Sequence, residues 1–209
     1  MSADLTRKDA SPEAAARPHT PVAGGWAFGA IGALAGIAWA AALRSYMWQI
    51  SPNPHVDWAG TFIAILLPGA VCGALLGIAE ARRRVGLVRG LAWFALSPLA
   101  FAVAALALPG ALGLFLATGQ GGGAIGVPLI GIAGGFALGH RGRRWVRIVV
   151  GVFAVALIGG TIATVPGVGG VLLSLTSPRG AWVAALVGSL LVVLALASAI
   201  PFRRPPGES

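Results

Sequence analysis

Six stretches of the chain, about 22–43, 58–79, 87–108, 124–139, 148–165 and 181–201, are free of charge except at their ends. Wound as helices at about 1.5 Å per residue, some 20 apolar residues cross the roughly 30 Å of a bilayer's hydrocarbon. Backbone polar groups at that depth have no water to bond and must be satisfied within the protein. Of the 209 residues 57% are hydrophobic and 10% are charged, against about a quarter charged in a soluble domain. Too few polar side chains remain to cover a water-facing surface, so the expected solvent, and the first expected partner, is the lipid bilayer. The expected fold class is all-α: a polytopic membrane bundle of about six transmembrane helices, arranged as three hairpins with short loops. The fourth run is short and glycine-rich, and residues 109–123 before it are a candidate for dipping into the interface.

Three parts are expected along the chain. Residues 1–21 mix charges of both signs with Pro, Ala and Ser and read as a disordered cytoplasmic tail. Residues 22–202 form the six-span membrane domain, and 203–209 a second cytoplasmic tail. Residues 40–42 imitate a small-residue cleavage site, but the first run exceeds the roughly 7–15 residues of a signal-peptide core and is expected to remain as span one.

Six spans can be tested against charge, because cytoplasmic loops collect Arg and Lys. One side would hold thirteen basic residues: Arg7, Lys8, Arg17, Arg82, Arg83, Arg84, Arg89, Arg141, Arg143, Arg144, Arg147, Arg203 and Arg204. The other would hold Arg44 and Arg179 alone. One span more or fewer breaks this alternation, so both termini are expected inside, in a cell (plasma) membrane. Trp26, Trp93 and Trp145 fall at basic ends of the spans, and Trp39, Trp48, Trp58 and Trp182 at or near the opposite ends. Indole favours the headgroup region, where the ring is buried and its N–H stays wet.

The formal net charge of +9 would raise nucleic acid as a partner in a soluble chain. Here the base-stacking aromatics that such a surface interleaves with its charge are missing, and no nucleic-acid partner is expected. Cys72 is the one cysteine and lies inside an apolar run, so neither a disulfide framework nor a thiolate site is expected. His19, His55 and His140 share no helical face at ligand spacing. No serine sits in a G-x-S-x-G elbow, and residues 119–123 lack the Lys and Ser/Thr of a phosphate loop. Glu80 adjoins Arg82, Arg83 and Arg84 at a span end, where an interfacial salt bridge is expected rather than a proton site. No catalytic residue, metal or cofactor is therefore expected.

Glycines at four-residue spacing suggest how the helices meet. Gly25, Gly29, Gly32 and Gly36 line span one, Gly69, Gly73 and Gly77 span two, and Gly131, Gly135 and Gly139 span four. In lipid, small residues let backbones approach until dispersion holds them. Packing within the monomer is one reading of these faces, and a protein partner or second copy docking there is the other. Arginine clusters recur about every 60 residues, with Pro68 and Pro128 spaced alike, but two spans and two short loops give that period without shared ancestry.

The most individual stretch is residues 44–61, expected as the first outer loop. Arg44, Tyr46, His55, Asp57 and Trp58 could gather there as a binding cluster, or as an interfacial loop pinned by an Arg44–Asp57 pair. An Arg, an aromatic–Met pair and a later Trp-x-Gly-Thr are carried here by Arg44, Tyr46, Met47, Trp58, Gly60 and Thr61. Over residues 44–80 this pattern resembles uncharacterised multi-pass membrane proteins of actinobacteria, a resemblance that implies a membrane protein and attaches no activity. The expected function is non-enzymatic: an accessory subunit or scaffold acting through helix–helix contacts. The alternative is a small permease or channel for a neutral or lipidic substrate, with bends at Pro68, Pro98 and Pro128 and with Ser97, Thr161, Thr164 and Ser189 lining a cavity.

Overall fold

The computed structural model of the protein describes residues 24–51, 54–118, 122–140 and 142–205. The expected tail at 1–21 lies outside them, as do Arg141, most of the 119–123 glycine stretch and the last four residues of the C-terminal tail. Every regular element among the described residues is helical.

Helix α1 runs Gly25–Ile50, well beyond the expected end at residue 43. No Gly or Pro interrupts 43–50, and the sequence stops the helix only when Pro52 arrives without an N–H. Arg44, Tyr46 and Trp48 are therefore helical residues and not part of a loop, a correction to the expected outer loop. The next helix begins as a wide turn, Trp58–Leu66, and continues as α2, Leu67–Arg84. Pro68 explains the wide turn: it offers Ala64 no N–H, and the Leu67 amide reaches back five residues to the Phe62 carbonyl.

The third expected span is not one helix. A 3₁₀ turn at Leu91–Leu96 gives way to α3, Leu99–Leu106. Pro98 lacks the donor that a continuous helix needs at this point, and three-residue bonds carry the chain past it: Ser97 to Phe94, Ala100 to Ser97 and Phe101 to Pro98. Helix α4, Ala111–Thr118, occupies part of the stretch expected at the interface. Helix α5, Gly122–Leu138, has 17 residues and takes Pro128 within it. Helix α6, Arg144–Ala163, is followed directly by the short α7, Val165–Gly169. Helix α8, Pro178–Ser198, starts with Ser177 capping the Gly180 amide and with proline at a first-turn position that needs no donor. A last turn, Ile200–Phe202, closes the described chain.

Among the described residues four helical stretches are long and apolar enough to cross a membrane: Gly25–Ile50, Trp58–Arg84, Arg144–Gly169 and Pro178–Phe202. Helix α5 is apolar but shorter. Large apolar side chains cover the outside, among them Ile31, Leu34, Ile63, Val103, Val152, Phe153 and Val155. A surface this apolar belongs against hydrocarbon.

The pairing of helices follows from which residues touch. Along α1 and α2, Phe28 meets Gly77, Gly32 meets Gly73 and Gly36 meets Gly69, so the two run antiparallel. Along α5 and α8, Gly131 meets Leu194, Gly135 meets Ser198 and Gly139 meets Phe202, so these run parallel. Helix α6 returns antiparallel along α5, with Arg147 Nε bonded to the Ala137 carbonyl at 3.2 Å. A core of Leu43, Tyr46, Ile130, Val165, Leu173, Val183, Val187 and Leu191 fills the space where α1, α5 and α8 converge.

Candidate functional site

The bundle's two ends differ sharply in charge. One gathers the start of α1, the ends of α2, α5 and α8, and the start of α6. Glu80 lies there between two guanidinium groups: Arg83 donates from both Nε and Nη2 at 2.7 Å, and Arg84 from Nε at 2.7 Å. Arg83 Nη1 also reaches the Arg204 carbonyl at 2.8 Å, tying α2 to the C-terminal turn across 121 residues of sequence. Arg84 stands over the Phe28 ring at 4.7 Å, which binds the start of α1 to the same knot. The His140 amide donates to the Phe202 carbonyl at 3.1 Å, and Phe136 meets Phe202 edge-on at 5.6 Å. The sequence anticipated the Glu80 salt bridge but not the role of Phe202 and Arg204 as its far anchors.

The opposite end holds the expected Arg44 cluster, and the structure divides it. Arg44 Nε donates to Thr61 Oγ1 at 3.2 Å, and Nη2 to the His55 carbonyl. Asp57 caps its own helix, accepting from the Gly60 amide at 2.7 Å. No ion pair joins Arg44 to Asp57, so the pair expected from the sequence is not formed. Helix capping holds the carboxylate at the N-terminus of the second span, where the helix dipole favours it. Tyr46 leaves the cluster altogether: it is buried in the core among Val183, Val187 and Leu190, because α1 carries it round to the face turned toward α8. Trp58 is 78% exposed and stacks on Phe62 at 4.6 Å. Thr61, which sequence reasoning used only as part of a pattern, is buried and is the side chain that receives Arg44.

Between the two ends the core is apolar, and the hydroxyls of half-buried Thr161 and of exposed Thr164 and Ser189 bond back along their own chain segments. Thr161 donates to Leu157 four residues back at 2.9 Å, Thr164 to Thr161 at 2.7 Å, and Ser189 to Leu186 at 2.8 Å. These bonds satisfy the hydroxyls locally. Ser97 pairs with Cys72, Oγ to Sγ, at 3.4 Å in a buried contact. No hydrogen bond joins the hydroxyls of the four residues expected to line a cavity, Ser97, Thr161, Thr164 and Ser189, to one another. Trp39, expected toward a span end, sits near the middle of the lengthened α1, where its Nε1–H donates to the Leu190 carbonyl of α8 at 2.9 Å.

The glycine faces are occupied from within. A Cβ built on Gly69 would stand 2.5 Å from the Ala40 Cβ, one on Gly77 2.1 Å from the Phe28 carbonyl oxygen, and one on Gly135 2.5 Å from the Ser198 backbone. On Gly139 it would meet the Phe202 Cβ at 2.3 Å, and on Gly131 the Leu194 side chain at 2.9 Å. Among the described residues no group of three or more His, Cys, Asp or Glu side chains is placed to hold a metal ion.

These features define a protein whose described residues are all-helical in their regular structure, with four helices among them long and apolar enough to cross a membrane. No protein family matches the chain, and no curated protein and no solved structure matches it either.

Proposed function

We propose that the chain is a six-pass membrane protein that acts by contact, as a scaffold or accessory subunit, and not by catalysis or transport. The observation that carries this reading is the filled interior. Leucine, valine and isoleucine close the space between α1, α5 and α8, while the half-buried Thr161 hydroxyl bonds to a carbonyl of its own helix. A path for a polar solute needs groups from several helices facing one another, and a membrane enzyme needs an ionisable group held at depth.

Six crossings are supported by the chain's course. The broken segment Leu91–Leu106 leaves the arginine-rich end beside Arg82 and rises to the wide turn of the second span, and α5 returns. Counting these two with the four long helices gives three hairpins. Arg44 and Arg179 then stand on one side and the remaining arginines on the other, cytoplasmic side, of a plasma membrane. Kinship with the actinobacterial membrane proteins that residues 44–80 resemble belongs to the same proposal.

Purification in nanodiscs followed by native mass spectrometry tests the contact role. A stoichiometric protein partner is the expected result, and a lone chain carrying one specific small molecule overturns the proposal in favour of transport. Single cysteines in a Cys72→Ala background test the passes: positions 143 and 203 should react with impermeant maleimide from one side, and positions 55 and 179 from the other.

A further inference from the structure

Among the described residues, counter-charge at the arginine-rich end is scarce. Among the described residues that end has nine arginines and one carboxylate, Glu80, which Arg83 and Arg84 already share. Arg82 points away from them. Its guanidinium lies over the Phe94 ring at 5.7 Å, its Nη2 donates to the Arg89 carbonyl at 3.3 Å, and its Nε–H is buried with no partner. Arg82 is thus held against the turn that carries Arg89, and among the described residues no acid pairs with either residue.

That turn is built for the membrane surface. Gly86 and Gly90 bend it with φ of +75° and +76°, values that side-chain-bearing residues rarely adopt. Val85 and Leu87 are exposed on it, and Trp93 on the following 3₁₀ turn is 76% exposed, as suits an indole at headgroup depth. The Arg82 guanidinium, with no acid partner among the described residues, therefore lies against a turn on which Arg89, Val85 and Leu87 are exposed.

We propose that Arg82, Arg89 and Trp93 form a binding site for the phosphate of an acidic phospholipid headgroup, with Val85 and Leu87 against its acyl chains. A guanidinium fork matches phosphate geometry and keeps its charge at any physiological pH. The exposed apolar rim selects a lipid over a soluble anion, which would leave that rim uncovered. The site requires only that the chain sit in a bilayer and is independent of the contact role.

The test uses the full chain in nanodiscs of phosphatidylcholine with a minority of phosphatidylglycerol, reading retained lipid by native mass spectrometry. Phosphatidylglycerol should be enriched, and the Arg82→Gln, Arg89→Gln double variant should lose about 25-fold of that preference, about fivefold per arginine. Arg179→Gln at the opposite end should lose none. Equal losses in the two variants overturn the site in favour of diffuse attraction. Should the double variant fail to fold, a photoreactive phosphatidylglycerol on the unaltered chain decides: crosslinks concentrated on residues 82–93 support the site, and crosslinks spread over the whole basic rim overturn it. Inorganic phosphate at millimolar concentration should displace none of the lipid, and displacement would assign the site to a soluble anion instead.

Discussion

Gly32 and Gly73 meet backbone to backbone: a Cβ built on Gly73 would lie 2.0 Å from the Gly32 carbonyl oxygen, and one on Gly32 2.2 Å from that of Gly73. No side chain fits at either position unless α1 and α2 move apart, and moving them releases the contacts from Gly36–Gly69 to Phe28–Gly77. Gly73→Ala should therefore cost about 1–3 kcal/mol, the range of overpacked cores. Gly159 of α6, with open space around it, should accept alanine at no cost or gain up to about 1 kcal/mol in helix propensity. Thermal unfolding of the two variants in one detergent checks the difference, and equal melting temperatures would mean that the glycine seam does not hold the hairpin.

Trp39 joins the first helix to the last. Trp39→Phe removes the bond to the Leu190 carbonyl but keeps an aromatic ring near Phe101, which the indole meets edge-on at 5.4 Å. The loss should be about 0.5–1.5 kcal/mol, the net worth of one hydrogen bond. Trp39→Ala removes the ring as well and should cost about 3–5 kcal/mol. Equilibrium unfolding in mixed micelles separates the two.

Arg44 and Asp57, although close in the chain, act on different partners. In a double-mutant cycle, Arg44→Gln with Thr61→Val should couple by at least about 0.5 kcal/mol, as contacting residues do. Arg44→Gln with Asp57→Asn should be additive within about 0.5 kcal/mol. Strong coupling in the second cycle would restore the ion pair that the geometry replaces with a helix cap.

Ser198 is fully buried and its hydroxyl has no hydrogen-bond partner. Ser198→Ala should be neutral or stabilising by about 1 kcal/mol, because a buried polar group without a partner costs free energy. A Cβ built on Gly135 would stand 2.5 Å from the Ser198 backbone, so this position should tolerate no side chain. A Gly135→Ala variant as stable as the parent would show that α5 and α8 are not in the register described.

Much of the fold was legible because its signals are local. The ends of the second and last helices follow from charge and proline, and Ser177–Pro178 marks the start of α8 as a cap followed by a donor-free residue. The break in the third expected span was less visible. Pro98 was read as a bend within a continuous run, whereas the structure places a 3₁₀ turn before it and a short helix after it. Overestimating the first loop had a different cause: Arg44 looked like a span boundary because it is charged, but a guanidinium satisfied by Thr61 and the His55 carbonyl can remain on a helix. The candidate site was less legible still, since its expected members were grouped by nearness in sequence.

By itself the sequence determined the solvent and the class of structure, because run length, hydropathy and charge placement act within one helix or one loop. It also marked the residues small enough for close approach. Only the tertiary structure decided what approached them: α1 against α2 in opposite directions, and α5 against α8 in the same direction. It alone turned Tyr46 into the core, gave Arg44 to Thr61, and joined Trp39 to a carbonyl 151 residues away. Such choices depend on the mutual register of helices distant in the chain, and in lipid that register is set by backbone contact and shape, which no local pattern encodes.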